Sequence, residues 1–170
     1  GFNYRAFWAD SMACATACKV VAEACGQGAR TSVTTAGLLH DLGRIALVEV
    51  VPDLCGKLDP SLDDEALLVQ EEAVIGIGHP EAGFELAQRW GLPDDIAQAI
   101  RFHHTPQYAA ESREVVAIVA VADALYKLAE HDGEFTTDML NGYEARLGML
   151  GLGKEDGVEI LRLCADKRLQ

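Results

Sequence analysis

The chain has 170 residues, of which 49% are hydrophobic, and a formal net charge of -13 at pH 7. This length and apolar content suffice for one domain with a substantial core and are too small to predict two. Only 14 Lys and Arg residues occur, scattered along the chain, which argues against a nucleic-acid partner because that affinity depends on many basic contacts to phosphates.

The cysteines and the apolar runs indicate the compartment. Five cysteines occur without a CxxC pair or a signal-peptide pattern, which predicts reduced thiols and a cytoplasmic location. Cys14 and Cys18, four residues apart on a predicted helix, could place two metal ligands together, but core packing is favoured because free cysteine is commonly buried. No apolar run reaches the roughly 20 residues of a membrane span, so no membrane association is expected.

The first half of the chain has helical spacing of its apolar residues. It begins GFNYR without an initiator methionine, which predicts an excised or processed domain with sequence missing upstream. Residues 7–18 predict a first amphipathic helix that ends near Gly26. Residues 36–48, AGLLHDLGRIALV, predict a second helix with His40 and Asp41 along one edge of its apolar face. Pro52 ends or bends that helix, and residues 53–64 predict an acidic surface loop.

Histidines stand at helix boundaries in the middle of the chain. Residues 65–75 predict a helix that glycines break just before His79. The proline that follows His79 suits the first turn of the next helix, and the positive end of that helix is predicted to keep the imidazole neutral. A further helix follows residue 93, and His103 and His104 border its buried face near the end.

The last third predicts a buried helix followed by two amphipathic ones. Residues 115–128, VVAIVAVADALYKL, favour a helix by length, although the β-branched start leaves a strand open. Asp123 inside it carries a desolvation cost of several kcal/mol unless it is paired or metal-bound. Residues 136–147 and 154–167 predict the amphipathic helices, and His131 is predicted to be exposed. The fold class predicted is a single all-α domain of about seven helices, without hairpin signals.

Six polar side chains occupy apolar or helix-start positions, namely His40, Asp41, His79, His103, His104 and Asp123. Imidazole and carboxylate ligands suit first-row divalent ions such as Fe, Mn, Zn, Co or Ni, so we expect the six to converge on a pocket that holds one or two ions. A carboxylate between two ions stabilises attacking and leaving oxygens in hydrolysis, and Asp41 is the predicted bridge and candidate catalytic residue. Alternatively, Asp41 simply pairs with Arg44 three residues later.

An anionic ligand needs a local reversal of the acidic field by metal or by arginines. Arg44, Arg89 and Arg101 are the candidate anion-binding residues. The alternative for each is an exposed helix face that carries a long solvated side chain. A nucleotide or a phosphorylated small molecule is the ligand class considered.

Several segments resemble, in order and spacing, the HD superfamily of metal-dependent phosphohydrolases, and more closely its HDOD (HD-related output domain) branch. The matching text is FWADS, AGLLHDLGR, GIGHPEAG, RWGLPDDIAQAIRFHH and VADAL, which covers residues 7–130. The resemblance implies an all-helical domain of bacterial signalling proteins, often beside receiver, GAF or cyclic-di-GMP domains. Related domains carry further helices before the FW segment, so the resemblance implies that this chain starts after them.

The resemblance also implies roles for the six side chains. His40, Asp41 and Asp123 match the first metal site of the HD pattern. His79, His103 and His104 match the added histidines of HD-GYP phosphodiesterases.

Two departures from the family pattern concern catalysis. Asp10 stands where HD enzymes supply a further histidine from the first helix, and it is expected at the edge of the site as a weaker ligand. After His104 the text TPQYAA lacks the EXXDGXGYP run of HD-GYP enzymes.

Three interpretations follow. The favoured one is a regulatory signalling module whose metal or ligand pocket is retained for structure or sensing. The second is an active metal-dependent phosphohydrolase acting on a nucleotide, a cyclic dinucleotide or a phosphomonoester. The third is purely structural, with His and Asp satisfying each other across helices. Metal content separates the third from the others, and phosphate release separates the first two.

Overall fold

The computed structural model describes residues 2–28, 31–130 and 133–168, and every regular element in these ranges is helical. The α-helices are α1 (Tyr4–Ala24), α2 (Thr31–Leu39), α3 (Leu42–Val50), α4 (Pro52–Cys55), α5 (Asp64–Ile75), α6 (His79–Arg89), α7 (Asp94–Phe102), α8 (Arg113–Leu128), α9 (Glu144–Gly148) and α10 (Lys154–Arg168). Two 3-10 turns span Pro106–Tyr108 and Thr137–Leu140. The predicted all-α fold of one domain is confirmed.

Helix α8 forms the centre of the core. All residues from 115 to 126 are buried, as expected for a helix that is apolar on nearly every side, and the strand alternative is wrong. Helices α1, α2, α7 and α10 pack around it. Asp123 is the charged residue within this buried stretch, 3% exposed, and its carboxylate points to the place where the other candidate ligands meet.

Two glycines allow α3 and α6 to cross at close range. A Cβ atom on Gly43 would lie 1.8 Å from the carbonyl oxygen of His79, and one on Gly83 would lie 3.0 Å from the backbone nitrogen of Gly43. The backbones therefore touch at this crossing, and hydrogen is the only side chain that fits at Gly43. The crossing places Asp41, which precedes α3, beside His79, the first residue of α6.

The predicted helix over residues 36–48 is interrupted. Helix α2 ends at Leu39 and α3 begins at Leu42, so His40 and Asp41 form the turn between them. Asp41 precedes α3 without capping it through its side chain. Successive residues of a continuous helix point about 100° apart, and the turn removes that restriction. Both side chains can therefore reach the same point.

Residues 136–147 do not form the predicted amphipathic helix. A 3-10 turn covers Thr137–Leu140, and α9 begins only at Glu144. Gly142, with a φ of 90°, follows Asn141, and this left-handed residue prevents the two segments from joining. His131, predicted to be exposed, lies outside the described residues. None of the helices in the described ranges has both the length and the apolar content that a membrane crossing requires.

Candidate metal centre

Three of the predicted histidine ligands lie around one carboxylate oxygen of a fourth predicted ligand, Asp41. Asp41 Oδ1 lies 3.2 Å from His79 Nε2 and 3.5 Å from His103 Nε2. His104 Nε2 lies 3.1 Å from His79 Nε2. Ligand atoms on one tetrahedral ion with bonds of about 2.0–2.3 Å are separated by roughly 3.5 Å. The spacing of these four side chains therefore fits a shared ion.

A second group lies on the other side of Asp41. His40 Nε2 is 3.3 Å from Asp123 Oδ1 and 3.7 Å from Asp41 Oδ2. Cys14 joins this group, because one ligand atom from each of Cys14, His40 and Asp123 lies within 4.8 Å of the other two. Asp41 thus stands between the two groups with one oxygen toward each. That is the position expected of the predicted bridge, whose role as a ligand stays a prediction.

Backbone carbonyls determine which ring nitrogen two imidazoles present. His40 Nδ1 is 2.7 Å from the Gly37 carbonyl oxygen, and His103 Nδ1 is 2.8 Å from the Ile100 carbonyl oxygen. A carbonyl only accepts, so Nδ1 donates in both rings and Nε2 faces the centre with its lone pair when the ring is neutral. Metal-binding histidines are ordinarily oriented by such a bond from the other nitrogen.

Glu71 holds His79 in the same way. This carboxylate is 3% exposed, and it accepts hydrogen bonds from His79 Nδ1 at 2.7 Å and from the His79 backbone N–H at 2.8 Å. Burial lowers the pKa of His79, but the carboxylates of Asp41 and Glu71 outweigh burial and the net pKa is raised. These carboxylates oppose the effect of the helix end, which the sequence predicted to keep this imidazole neutral, and Glu71 was not identified from the sequence.

Replacing Glu71 with glutamine is expected to lower metal affinity about 10- to 100-fold, the usual effect of losing a group that orients a ligand. Glutamine can still accept from the backbone N–H, so the start of α6 is retained while the negative charge beside His79 is lost. Isothermal titration with zinc measures the change, and Glu72→Gln, one residue along α5, serves as the control. Equal affinity in the wild type and Glu71→Gln would exclude this orienting role.

Besides Arg44 Nε, four buried atoms at the centre make no well-aligned hydrogen bond among the described residues. They are Nε2 of His40, Oδ1 of Asp41, Nε2 of His103 and Oδ1 of Asp123, the last of which is ion-paired with Lys127. Leaving a buried polar group unsatisfied costs about 1–3 kcal/mol. All four atoms are electron-pair donors when the imidazoles are neutral, so a bound cation would satisfy them together. The donor set therefore fits a metal ion.

The two carboxylates are held in their charged form. Burial raises the pKa of Asp41, but Arg44 and His40 outweigh it and the net pKa is well below the usual range. Burial likewise raises the pKa of Asp123, and His40 and Lys127 reverse the effect, so that its pKa is also far below the usual range. Metal ligation requires deprotonated carboxylates, and both meet this condition.

The imidazoles differ in charge. Burial lowers the pKa of His104 to about 2, with a smaller contribution from His103, and burial also lowers the pKa of His103. For His40, burial lowers the pKa, but Cys14 and Asp41 outweigh burial and raise it well above the ordinary value. His103 and His104 are therefore neutral donors at pH 7, whereas an ion would displace a proton from His40.

Two cations border the carboxylates of the centre. Arg44 Nε lies 3.0 Å from Asp41 Oδ2, and Arg44 Nη2 donates to Asp64 Oδ1 at 2.7 Å. Lys127 Nζ lies 2.7 Å from Asp123 Oδ1 and also pairs with Asp64. Neither Lys127 nor Asp64 was identified from the sequence, although Lys127 follows Asp123 by one helical turn. Lys127 thus competes with a metal ion for the Asp123 carboxylate.

Replacing Lys127 with glutamine is expected to raise metal affinity about tenfold, since a partly exposed ion pair is worth up to about 1 kcal/mol and repulsion of the incoming ion also disappears. Competition titration with a chromophoric chelator measures this change. Lys19→Gln, at an exposed position of α1, is the matched loss of a positive charge. Unchanged or weaker affinity in Lys127→Gln would show that Lys127 does not compete for Asp123.

Asp10 does not join either group of ligand atoms. Its side chain is on the exposed side of α1, and burial, followed by the charge of Glu130, raises the pKa of its carboxyl. The side chain that α1 brings to the centre is Cys14, one turn further along. The sequence contains a signal that could have indicated Cys14, because the four-residue spacing places Asp10 and Cys14 on one face of the helix.

The three candidate anion-binding arginines are engaged in different ways. Arg44 lies at the centre, paired with Asp41. Arg101 donates two hydrogen bonds to Glu81, at 2.9 and 3.0 Å. Arg89 is exposed at the end of α6. Two of the three arginines are therefore already neutralised by carboxylates, and their role in anion binding stays a prediction.

A groove of about 860 Å³ opens beside the centre. His104, Asp123 and Lys127 line it toward the centre, and Tyr143 and Arg146 line it toward α9. Arg146 reaches across it to the carbonyl oxygen of His104, 3.5 Å away. Solvent and small molecules therefore have access to one side of the centre.

Proteins with related sequence or structure have been described. Over 101 residues the chain is 34% identical to an uncharacterized protein of Treponema pallidum (strain Nichols), a match covering 58% of this chain and 19% of that protein. An HDOD domain protein of Geobacter sulfurreducens is similar in structure with a TM-score of 0.74 and 25% identity, covering 99% of this chain and 60% of that one. The MmoQ response regulator of Methylococcus capsulatus str. Bath is similar in structure with a TM-score of 0.67 and 24% identity, and the match covers 94% of this chain and 61% of that one.

The chain spans less than two thirds of each of these three proteins. The structural similarity extends over nearly all of this chain and agrees with the helical fold described above. Residues 1–106 match the HDOD domain family, and this range includes five of the six predicted ligands. Because the match covers more than half of the sequence, the chain belongs to the HDOD domain family.

Proposed function

We propose that this HDOD domain is a regulatory module of bacterial signal transduction that binds one or two divalent metal ions between its helices and hydrolyses phosphoesters poorly or not at all. The observation that carries the metal-binding part is the set of four buried atoms on His40, Asp41, His103 and Asp123 that make no well-aligned hydrogen bond among the described residues. All four atoms belong to the two adjacent groups that meet at Asp41. Each of these atoms lies 3.2–3.5 Å from a neighbouring ligand atom. These distances support binding of one shared metal ion or of two adjacent metal ions.

One ion would be held by Asp41, His79, His103 and His104, and the other group would provide His40 and Asp123. Iron, manganese, zinc, nickel and cobalt all accept imidazole with carboxylate. When bound, such an ion can polarise a phosphoryl oxygen or acidify a water molecule.

The positions of several side chains do not favour efficient hydrolysis of phosphoesters. Asp10 stands at the α1 position where HD enzymes have a histidine ligand, and here the side chain is exposed. Lys127 and Arg44 are paired with the carboxylates that would hold the ions, and Asp64 joins the two cations. This network favours a site whose occupancy varies with conditions, which suits regulation better than turnover.

Family membership supports the signalling part of the proposal. The similar MmoQ protein is a response regulator that is longer than this chain. We infer that the present domain acts with attached or separate signalling domains of the receiver, GAF or cyclic-di-GMP type, and that its ligand besides metal is a nucleotide or another phosphorylated small molecule. The groove beside His104 and Lys127 offers room for such a ligand.

Metal content and phosphate release test the proposal together. Protein purified without chelators is expected to contain substoichiometric to stoichiometric iron, manganese, zinc or nickel by elemental analysis, because the neutral imidazoles and charged carboxylates are suitable ligands. The same preparation is expected to release little or no phosphate from nucleotides, cyclic dinucleotides and phosphomonoesters. Chelator-treated protein is the control.

Two outcomes would contradict the proposal. Protein that neither retains nor takes up divalent ions would leave the structural interpretation, in which the His and Asp side chains only satisfy each other. Robust turnover that disappears on chelation would replace the regulatory assignment with the second candidate, a metal-dependent phosphohydrolase. The open groove beside the centre is the observation that keeps this second candidate in consideration.

A further inference from the structure

Cys14, predicted from the sequence to pack in the core, lies beside His40 and Asp123 in the candidate metal centre. Its sulfur, a ring nitrogen of His40 and a carboxylate oxygen of Asp123 all lie within 4.8 Å of one another. The three residues are 0%, 1% and 3% exposed. We propose that Cys14 is a thiolate ligand of a site completed by His40 and Asp123, and that this site selects zinc or a similar thiolate-binding divalent ion. The inference rests on the proposed metal-binding function.

The position of Cys14 is set by the close packing of α1 against α2. A Cβ atom on Gly37 would lie 2.5 Å from Cys18 Sγ and 3.2 Å from the Cys14 carbonyl oxygen, so α1 and α2 touch at this glycine. The same residue accepts the hydrogen bond from His40 Nδ1, at 2.7 Å. One backbone contact therefore orients the imidazole and brings the thiol beside it. A ligand set held by packed helices is preorganised for binding.

Two buried atoms point to a ligand at this place. His40 Nε2 is buried without a hydrogen-bond partner among the described residues, and Asp123 Oδ1 beside it is buried and held by its ion pair with Lys127. They are 3.3 Å apart, close to the roughly 3.5 Å between ligand atoms of a tetrahedral ion. The second oxygen of Asp41 lies 3.7 Å from His40 Nε2 and would be the fourth donor once released from Arg44.

The ligand types of these four donors suit zinc. Sulfur, imidazole and carboxylate together favour zinc over magnesium, calcium or manganese, which prefer oxygen ligands. As the zinc–sulfur bond forms, the S–H bond breaks, and both its proton and the proton that the ion displaces from His40 pass to the solvent. A tetrahedral site closed by four protein ligands is typical of structural zinc. Such a site agrees with a regulatory domain.

X-ray absorption at the zinc K-edge of the reconstituted wild-type protein tests the inference. We expect a sulfur shell at about 2.3 Å in addition to nitrogen and oxygen at about 2.0–2.1 Å. With cobalt(II) in place of zinc, we expect the intense near-ultraviolet band of thiolate-to-cobalt charge transfer. Cys14→Ser should remove both signatures and lower zinc affinity at least about 100-fold. Cys18→Ser, at an equally buried position one turn further along α1, should retain them.

Each other outcome has a definite meaning. Zinc bound without a sulfur shell, or a shell that persists in folded Cys14→Ser, would overturn the thiolate ligand and leave metal binding intact. Absence of zinc and cobalt binding would overturn the proposed function as well. If Cys14→Ser fails to fold, serine variants of Cys18, Cys25, Cys55 and Cys164 decide the question. A shell that persists in each of the four assigns the sulfur to Cys14, and loss of the shell in a folded variant assigns it elsewhere.

Discussion

Replacing Gly43 with alanine is expected to destabilise the domain by about 3 kcal/mol, the upper end of the usual cost of overpacking. The new Cβ atom would lie 1.8 Å from the carbonyl oxygen of His79 and 2.7 Å from the backbone nitrogen of Gly83. Both neighbours are backbone atoms that no change of rotamer can move, so α3 and α6 must separate. For a domain of this size the melting temperature should fall by roughly 6–12 °C.

Gly148→Ala is the matched control, because a Cβ atom there meets nothing within 4 Å. At this position near the end of α9 alanine is expected to stabilise the protein by up to about 1 kcal/mol. Thermal and urea unfolding compare the two variants, and elemental analysis should show less metal in Gly43→Ala because His79 moves away from Asp41. An unchanged melting temperature in Gly43→Ala would contradict the close crossing.

Replacing Asp41 with alanine is expected to lower metal affinity by more than about 100-fold, since losing even a group that orients a ligand typically costs 10- to 100-fold. Asp41 Oδ1 is 3.2 Å from His79 Nε2, and Asp41 Oδ2 is 3.7 Å from His40 Nε2. Both groups of ligand atoms therefore lose a donor in this variant. Arg44 keeps its hydrogen bond to Asp64, which limits the loss of folding stability.

Asp166→Asn, at an exposed position of α10, controls for the loss of one negative charge. Elemental analysis after purification without chelators and zinc titration of the metal-free protein measure the effect. Circular dichroism checks that Asp41→Ala retains its helices. A folded Asp41→Ala protein with the metal content of the wild type would remove Asp41 from the centre.

Apolar periodicity predicted most of the fold because these helices bury one face or are buried altogether. Residues 115–128 are apolar nearly all round and form most of α8, the central helix. The glycine after residue 75 ends α5 with a φ of 90°, as its place in the sequence indicated. Such features depend on local spacing and on the conformational freedom of glycine.

The turn at His40 and Asp41 could not be predicted from periodicity. Leu38, Leu39 and Leu42 continue the spacing of three and four across it, because α2 and α3 both pack their apolar residues inward. Nothing local in AGLLHDLGR distinguishes one long helix from two joined by a turn. The close approach of α3 to α6 at Gly43 decides between them, and this contact joins segments distant in sequence.

The candidate ligands were identifiable because a charged or imidazole group in apolar surroundings is unusual. Glu71 and Lys127 were missed because Glu and Lys are common on exposed helix faces, and their burial depends on tertiary packing. Cys14 was assigned to core packing for the opposite reason, since cysteine is unremarkable in a core. The sequence shows that Asp10 and Cys14 share a face of α1, but only the packing of α1 on α2 determines which turn faces His40.

The candidate ligands come from five separate parts of the chain, namely α1, the turn after α2, the start of α6, the end of α7, and α8. An ion held by them would act as a reversible cross-link that closes chain loops, in the entropic sense in which a disulfide does. Its release would restore freedom to all five segments without requiring a change in their average positions. Metal binding is then expected to slow amide hydrogen exchange in these segments. Measuring this slowing at increasing distance from the centre would show how far the stiffening extends toward a surface on which a partner domain would dock.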